Sequence, residues 1–448
     1  MFGEIKLVRV HSLLQISLPA IVILYCVSFQ WSYVKWISPV WGYMGLTYKS
    51  PDPLLLLVAY VLASLLSMVS PIKLRRASQL VYWILFFTVY IPGLLAPLFV
   101  QLDTGLMLLL LQMSLTGGML LIALSYRLKL INLPHYPLTA QLFWMVFIIC
   151  FSLLNVVLLA AFRSSLHFAS LNEVYDVRAL GGAVQLQHPS IGYVSNLLSN
   201  VMNPFLIAYG LTVNRRGLVV LGILGQILVY ATAAMKSVLL SPLLIILIYY
   251  AAKKNRGALV PQFGLVCCGM FVAFTALASV HKGGIFFVVA TIILVRSFAI
   301  PGVEIAEYQY FFENFPHTYL SHIHGVNLLI SNPYSMSLGR EVGYFFAGAA
   351  SNGRIGNANA DFFAMDGIAG FGLPGILVMG GLCAAMFLVL DSCARKCPLP
   401  FSAAVLGSCA ISITNNSLFA SFLGGGINLI MLIFISMPRH LLDRDPSG

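Results

Sequence analysis

Charge is what this sequence has least of. Only 9% of its 448 residues are Asp, Glu, Lys or Arg, and just 14 are acids. Soluble domains carry about 25% charged residues, so a water-soluble globule is excluded. Apolar residues make up 60% of the chain, and uncharged apolar runs recur throughout it. Those runs approach the ~20 residues that cross a bilayer as a helix. They predict an all-α, polytopic membrane protein forming a single integral membrane domain over 1–448. Cysteines are also sparse where they would matter. Cys26, Cys150, Cys267, Cys268, Cys383 and Cys409 lie inside apolar runs, and Cys393 and Cys397 flank an Arg-Lys pair. No disulfide and no thiol chemistry is expected from such placements. A small-residue cleavage site is missing after the first apolar run, which therefore reads as a retained span. Internal repeats, low-complexity tracts and a soluble domain are absent too.

The charges that are present are mostly cations, giving a net +11. Their positions argue against a nucleic-acid partner. Sixteen of the 25 Lys and Arg fall in short clusters between apolar runs, such as "KLRR" at 73–76, "NRR" at 214–216 and "KKNR" at 253–256. Short positive loops mark the cytoplasmic side. With the N-terminus inside, spans are expected near 12–30, 53–70, 79–99, 105–125, 139–161, 191–211, 218–235, 237–252, 260–280, 368–390, 401–419 and 424–438. That makes about twelve transmembrane helices in the inner membrane of a bacterial cell, with both termini cytoplasmic. The run "IFFVVATIILVRSFAI", 285–300, upsets the parity if it crosses, because every later positive cluster then moves outside. It is therefore expected to be a non-spanning apolar segment. Two long external loops remain, at about 162–190 and 281–367, and loops of that length are usually functional.

The outer side holds cations that defy the topological trend: Arg163, Arg178, Lys236, Lys282, Arg296, Arg340 and Arg354. "SLNEVYDVRALGG" brings Arg178 beside Glu173 and Asp176, as either a self-paired solvated loop or a fork for phosphate or sugar hydroxyls. Lys236 occupies a tight outer turn, where it either snorkels or holds a lipid-linked phosphate. Arg296 precedes Pro301-Gly302, which is expected to turn the chain. Tyr308, Tyr310, Phe311 and Phe312 follow, and then His317, His322 and His324. The histidines lack the i, i+4 spacing of a helical metal pair, so no metal is expected. "NGRIGNANADFFAMDG" gathers Asn357, Asn359, Asp361 and Asp366 ahead of an apolar run.

The order of these pieces resembles the bacterial O-antigen polymerases, membrane glycosyltransferases of GT-C-like architecture that join oligosaccharide repeat units. The resemblance rests on Arg296 with Pro301-Gly302, then "YQYFF", then "IGNANADFFAMDGIAGFGLPG". It covers about 230–380, including Lys236-Ser237. The family carries an acid in the aromatic motif where this chain has Tyr310.

The resemblance implies block transfer of a growing glycan between undecaprenyl-pyrophosphate-linked oligosaccharides at the outer face of the inner membrane. It implies no metal or cofactor, with the lipid bilayer and a chain-length regulator protein as partners. On that basis Arg178, Lys236, Arg296 and Arg340 are candidates to hold pyrophosphate. Tyr308, Asn357 and Asn359 are candidates to hold sugar. His322, His317 or Asp366 is expected to act as general base, His322 being preferred, with Asp366 orienting the acceptor. Gly370, Gly372 and Gly375 are expected to allow close helix packing. An O-antigen ligase of similar fold and a twelve-span secondary transporter or flippase are the rival readings.

Overall fold

The computed structural model describes residues 2–163, 189–233, 235–254, 257–281, 284–323, 325–347, 357–358, 363–414 and 416–442. Side chains of residues 2–16, 189, 233, 236 and 347 are outside that description. All regular structure among the described residues is helical. Among the described residues, nine helices are long and apolar enough to cross a membrane: Ser17–Met44, Ser78–Val100, Gly105–Ser125, Ala140–Phe162, Ser237–Lys254, Leu259–Val280, Gly284–Asn314, Leu373–Lys396 and Leu418–Ser436. Pro53–Val69 and Arg216–Thr232 are shorter apolar helices. The chain is thus a multi-pass membrane protein by the length and composition of its helices.

Local chemistry sets the helix starts. Asp52 accepts hydrogen bonds from the Leu54 and Leu55 N–H groups, with Pro53 at the first helical position. Thr104 and Thr139 cap the helices that follow them in the same way. Proline also shapes helix interiors. Tyr33–Ile37, Phe86–Tyr90, Leu198–Met202 and Thr291–Ala299 are π-helical, and each is followed two residues later by a proline: Pro39, Pro92, Pro204 and Pro301. Without an N–H, proline cannot close the ordinary bond to the carbonyl four residues back, and the preceding turn widens instead of breaking.

That widening corrects one expectation. Pro301-Gly302 does not end a half-helix, because the chain stays helical through it from Gly284 to Asn314. Gly302 lets this helix touch the backbone of Ser78–Val100, where an added Cβ would crowd the Pro92 carbonyl and meet Ala96 Cβ at 2.8 Å. The two ends of the long helix have neighbours at one end of the bundle. Phe287 packs on Trp36 and Trp41, near the C-terminal end of Ser17–Met44. The Glu313 carboxylate stands close to Asp103, just past Val100. Ser17–Met44 and Ser78–Val100 run parallel, with Tyr25 against Phe87 and Tyr33 against Phe99. Phe298, between the two ends, meets Tyr25 and Phe271 deeper in the bundle.

Two further expectations change. The segment 281–367 is no plain loop, since it holds all of Gly284–Asn314 and the helix Leu338–Ala347. The span expected at 401–419 is divided into Leu399–Val405 and Gly407–Ile413. Residues 164–188, most of the other long loop, lie outside the described residues.

Gly105–Ser125 and Leu373–Cys393 form the frame that sets the depth of the site. They run in the same direction: Tyr126 and Asp391 both bond the Ser78 hydroxyl at one end, and Gly118 meets Gly380 nearer the other. Gly118 lies about 13 residues into its helix and Gly380 about 7 into its own. At 1.5 Å per residue, Leu373 therefore starts roughly 9 Å short of the level of Gly105. The short helix Phe363–Phe371 folds back against this recessed start. A Cβ on Gly367 would lie 2.5 Å from the Gly375 carbonyl carbon, so the pair allows backbone contact. Of the glycines expected to pack closely, Gly375 does so. Gly372 makes the reversal itself, at φ 68°.

Candidate active site

Asp366 sits on the recessed helix Phe363–Phe371 and is 4% exposed. Its Oδ2 accepts the Leu418 N–H at 2.7 Å, and its Oδ1 lies 3.3 Å from His322 Nε2. The other ring nitrogen of His322, Nδ1, is 2.8 Å from the Thr318 hydroxyl. Thr318 is fully buried and is tied to the same helix, with its N–H and Oγ1 both on the Ala369 carbonyl at 2.8 and 3.1 Å. Between Thr318 and His322, Tyr319 and Leu320 both take left-handed backbone, at φ 50° and 66°. Each such residue costs on the order of 1–3 kcal/mol, and conformations of this kind persist where the surroundings over-determine them. The strain and the Ala369 bonds together present His322 to Asp366.

This order of partners constrains the protons. When Thr318 donates to Ala369, its oxygen accepts from His322 Nδ1–H, and Nε2 and Asp366 Oδ1 then face each other with one proton to share. Burial pushes the Asp366 carboxyl above its ordinary range, against the pull of His322 and the Leu418 N–H. The pair is a proton-holding dyad, and once its proton is lost it presents two acceptors to any hydroxyl that can reach both.

The dyad opens on a cavity of about 290 Å³ lined by Tyr308, His322, Asn332, Ser337, Leu338, Gly339, Asn357, Met365, Asp366 and Ser417. The rim is built by backbone contact. Ala358 N–H donates to the Gly339 carbonyl at 2.8 Å, and a Cβ on Gly339 would lie 2.5 Å from Asn357 Oδ1. The Tyr308 hydroxyl donates to the Ala358 carbonyl at 3.1 Å and holds that rim from below.

The expected residues divide accordingly. His322, Asp366, Tyr308 and Asn357 converge on this cavity. Asp366, expected to orient the acceptor, has Oδ1 facing His322 and Oδ2 on the Leu418 N–H. Tyr308 is 1% exposed and acts on the rim backbone. His317 is not in the lining. It stacks on Phe312, with ring centroids 5.9 Å apart, beside Gly372. Arg296 and Arg340 are exposed and outside the lining, although Arg340 directly follows lining residue Gly339. Arg178, Asn359 and the Lys236 side chain lie outside the described residues.

Sequence reading missed Thr318, Asn332, Ser337, Ser417 and the Leu418 N–H. Thr318 stands at i−4 from His322, a spacing open to inspection, but lone hydroxyls carry no signal without the fold. Among the described residues no group of three or more His, Cys, Asp or Glu is arranged to hold a metal ion.

The site therefore belongs to a multi-pass, all-helical membrane protein with a buried His-Asp pair in a polar, recessed cavity. Compared with known protein families, curated proteins and solved structures, the chain matches none.

Proposed function

We propose that this chain is a membrane glycosyltransferase that polymerises lipid-linked oligosaccharide repeat units at the outer face of a bacterial inner membrane. The observation that carries the reading is the His322–Asp366 dyad at the floor of a polar cavity recessed among apolar helices. Glycosyl transfer to a sugar hydroxyl needs a base within hydrogen-bond reach of that hydroxyl. It also needs a floor near the depth at which an undecaprenyl pyrophosphate presents its head.

In this reading His322 takes the acceptor proton at Nε2. Asp366 holds the ring and stabilises the imidazolium, and Thr318 fixes the tautomer from the far side. The acceptor oxygen forms its bond to the anomeric carbon of the donor as the bond to the pyrophosphate oxygen breaks. Undecaprenyl pyrophosphate leaves, and fixed cations offset its charge, with Arg340, next to lining residue Gly339, as the described candidate nearest the cavity and Arg296 the other. The end contacts of Gly284–Asn314 favour a helix that does not cross, which is the condition that the positive clusters set for cytoplasmic termini.

Gene deletion tests the reading. Loss of a polymerase leaves lipopolysaccharide capped with a single repeat unit. Loss of a ligase leaves lipopolysaccharide with none, and unchanged polymer sinks both. A secondary transporter calls for two related halves and charge near the bilayer midplane, whereas the sequence shows no internal repeat.

A further inference from the structure

Resting on that reading, we infer that the cavity above the dyad is the acceptor subsite and that it selects a single neutral sugar ring over an acidic one. Its size comes first. About 290 Å³ lies at the low end of small-molecule sites and would hold roughly ten waters. That suits one hexopyranose and leaves the rest of a repeat unit outside.

Its chemistry comes second. Asn357 offers an amide donor and an amide acceptor, Asn332 an amide donor beside an oxygen that already takes the Tyr334 N–H, Ser337 a hydroxyl, and Ser417 a hydroxyl proton, its oxygen being held by the Ala420 N–H. Ring hydroxyls also donate and accept, so neutral groups of both kinds match a polyol better than they match an ion.

Charge comes third. The wall carries the Asp366 carboxylate, and His322 already stands against it at 3.3 Å. None of the described lining residues is a lysine or arginine. A sugar carboxylate would lie beside a buried acid whose countercharge is already committed, an arrangement penalised in a desolvated site. The hydroxyl that reaches both His322 Nε2 and Asp366 Oδ1 from the cavity is then the one that reacts, so the subsite also fixes which hydroxyl is extended.

The test uses the full-length protein in nanodiscs and ligand-observed NMR. The probes are the methyl glycosides of glucose, galactose, mannose and their uronic acids, each pair differing only at C6. A ligand of this size binds on the order of millimolar. At least one neutral hexoside is expected to bind at that level, with its uronide at least tenfold weaker. Asn357→Arg, at an exposed rim position, is expected to shrink that ratio or invert it by placing a cation in the cavity. Equal binding of a uronide and its neutral partner overturns the inference. So does the absence of any hexoside binding, or a ratio that Asn357→Arg leaves unmoved. Neutral-selective binding in a protein whose deletion leaves polymer length unchanged would keep the subsite and remove the polymerase. A single-repeat phenotype without neutral selectivity would do the reverse.

Discussion

Replacing Asp366 with asparagine keeps the shape of the side chain and changes only its protons. The amide oxygen can still accept the Leu418 N–H that Asp366 Oδ2 holds at 2.7 Å. The amide nitrogen then faces His322 Nε2 in place of Oδ1, 3.3 Å away. It donates there, ties up the lone pair that should receive the acceptor proton, and cannot stabilise an imidazolium. Asp366→Asn is therefore expected to lower kcat by roughly 10²–10⁴, the usual span for losing a general base, as His322→Ala does. KM should move little. The double variant should be no slower than either single one, because the two residues act as a unit. Fold stability should fall by only about 1 kcal/mol, since each hydrogen bond keeps a partner. Asp366→Ala differs, because it strands the Leu418 N–H and adds about 1–3 kcal/mol of desolvation cost. Purified enzyme with a synthetic lipid-linked repeat unit, read as a polymer ladder, gives the rates, and thermal unfolding gives the stabilities. A near-normal Asp366→Asn rate in a well-folded protein would refute the dyad.

In a cysteine-free background, a cysteine at exposed Ser335 should label with an impermeant maleimide in intact spheroplasts while one at Arg395 stays protected; the opposite pattern inverts the topology. Arg340→Ala should abolish polymerisation at normal protein levels and Arg340→Lys should restore part of it, because a point charge cannot copy a bidentate fork. Burial and then the Glu313 carboxylate push Asp103 up to about 7. An acid whose folded pKa is raised stabilises the fold at low pH and loses that contribution as pH rises through about 7. Thermal stability should therefore be higher at pH 5 than at pH 8, and Asp103→Asn should narrow the difference.

Composition alone decided the environment of this chain, because apolar runs free of charge cannot be left in water. Local chemistry also decided several helix starts and the short turn before Lys236, and the order of polar residues in 296–366 marked the region where the site lies. What one dimension could not show was depth and partnership. That Gly118 meets Gly380 so far along one helix and so early in the other, and so recesses the site, depends on which small residues face each other across two helices. That the widened turn before Pro301 keeps a helix going through "IPG" depends on where Gly302 rests, on the backbone around Pro92. His322 and Asp366 stood out as titratable residues among apolar neighbours. Their pairing needed a chain that returns through Tyr319 and Leu320 in left-handed backbone, and a Leu418 N–H from a helix some fifty residues further on. Hydrogen bonds of that kind carry no periodicity in sequence, so only packing brings their two ends together.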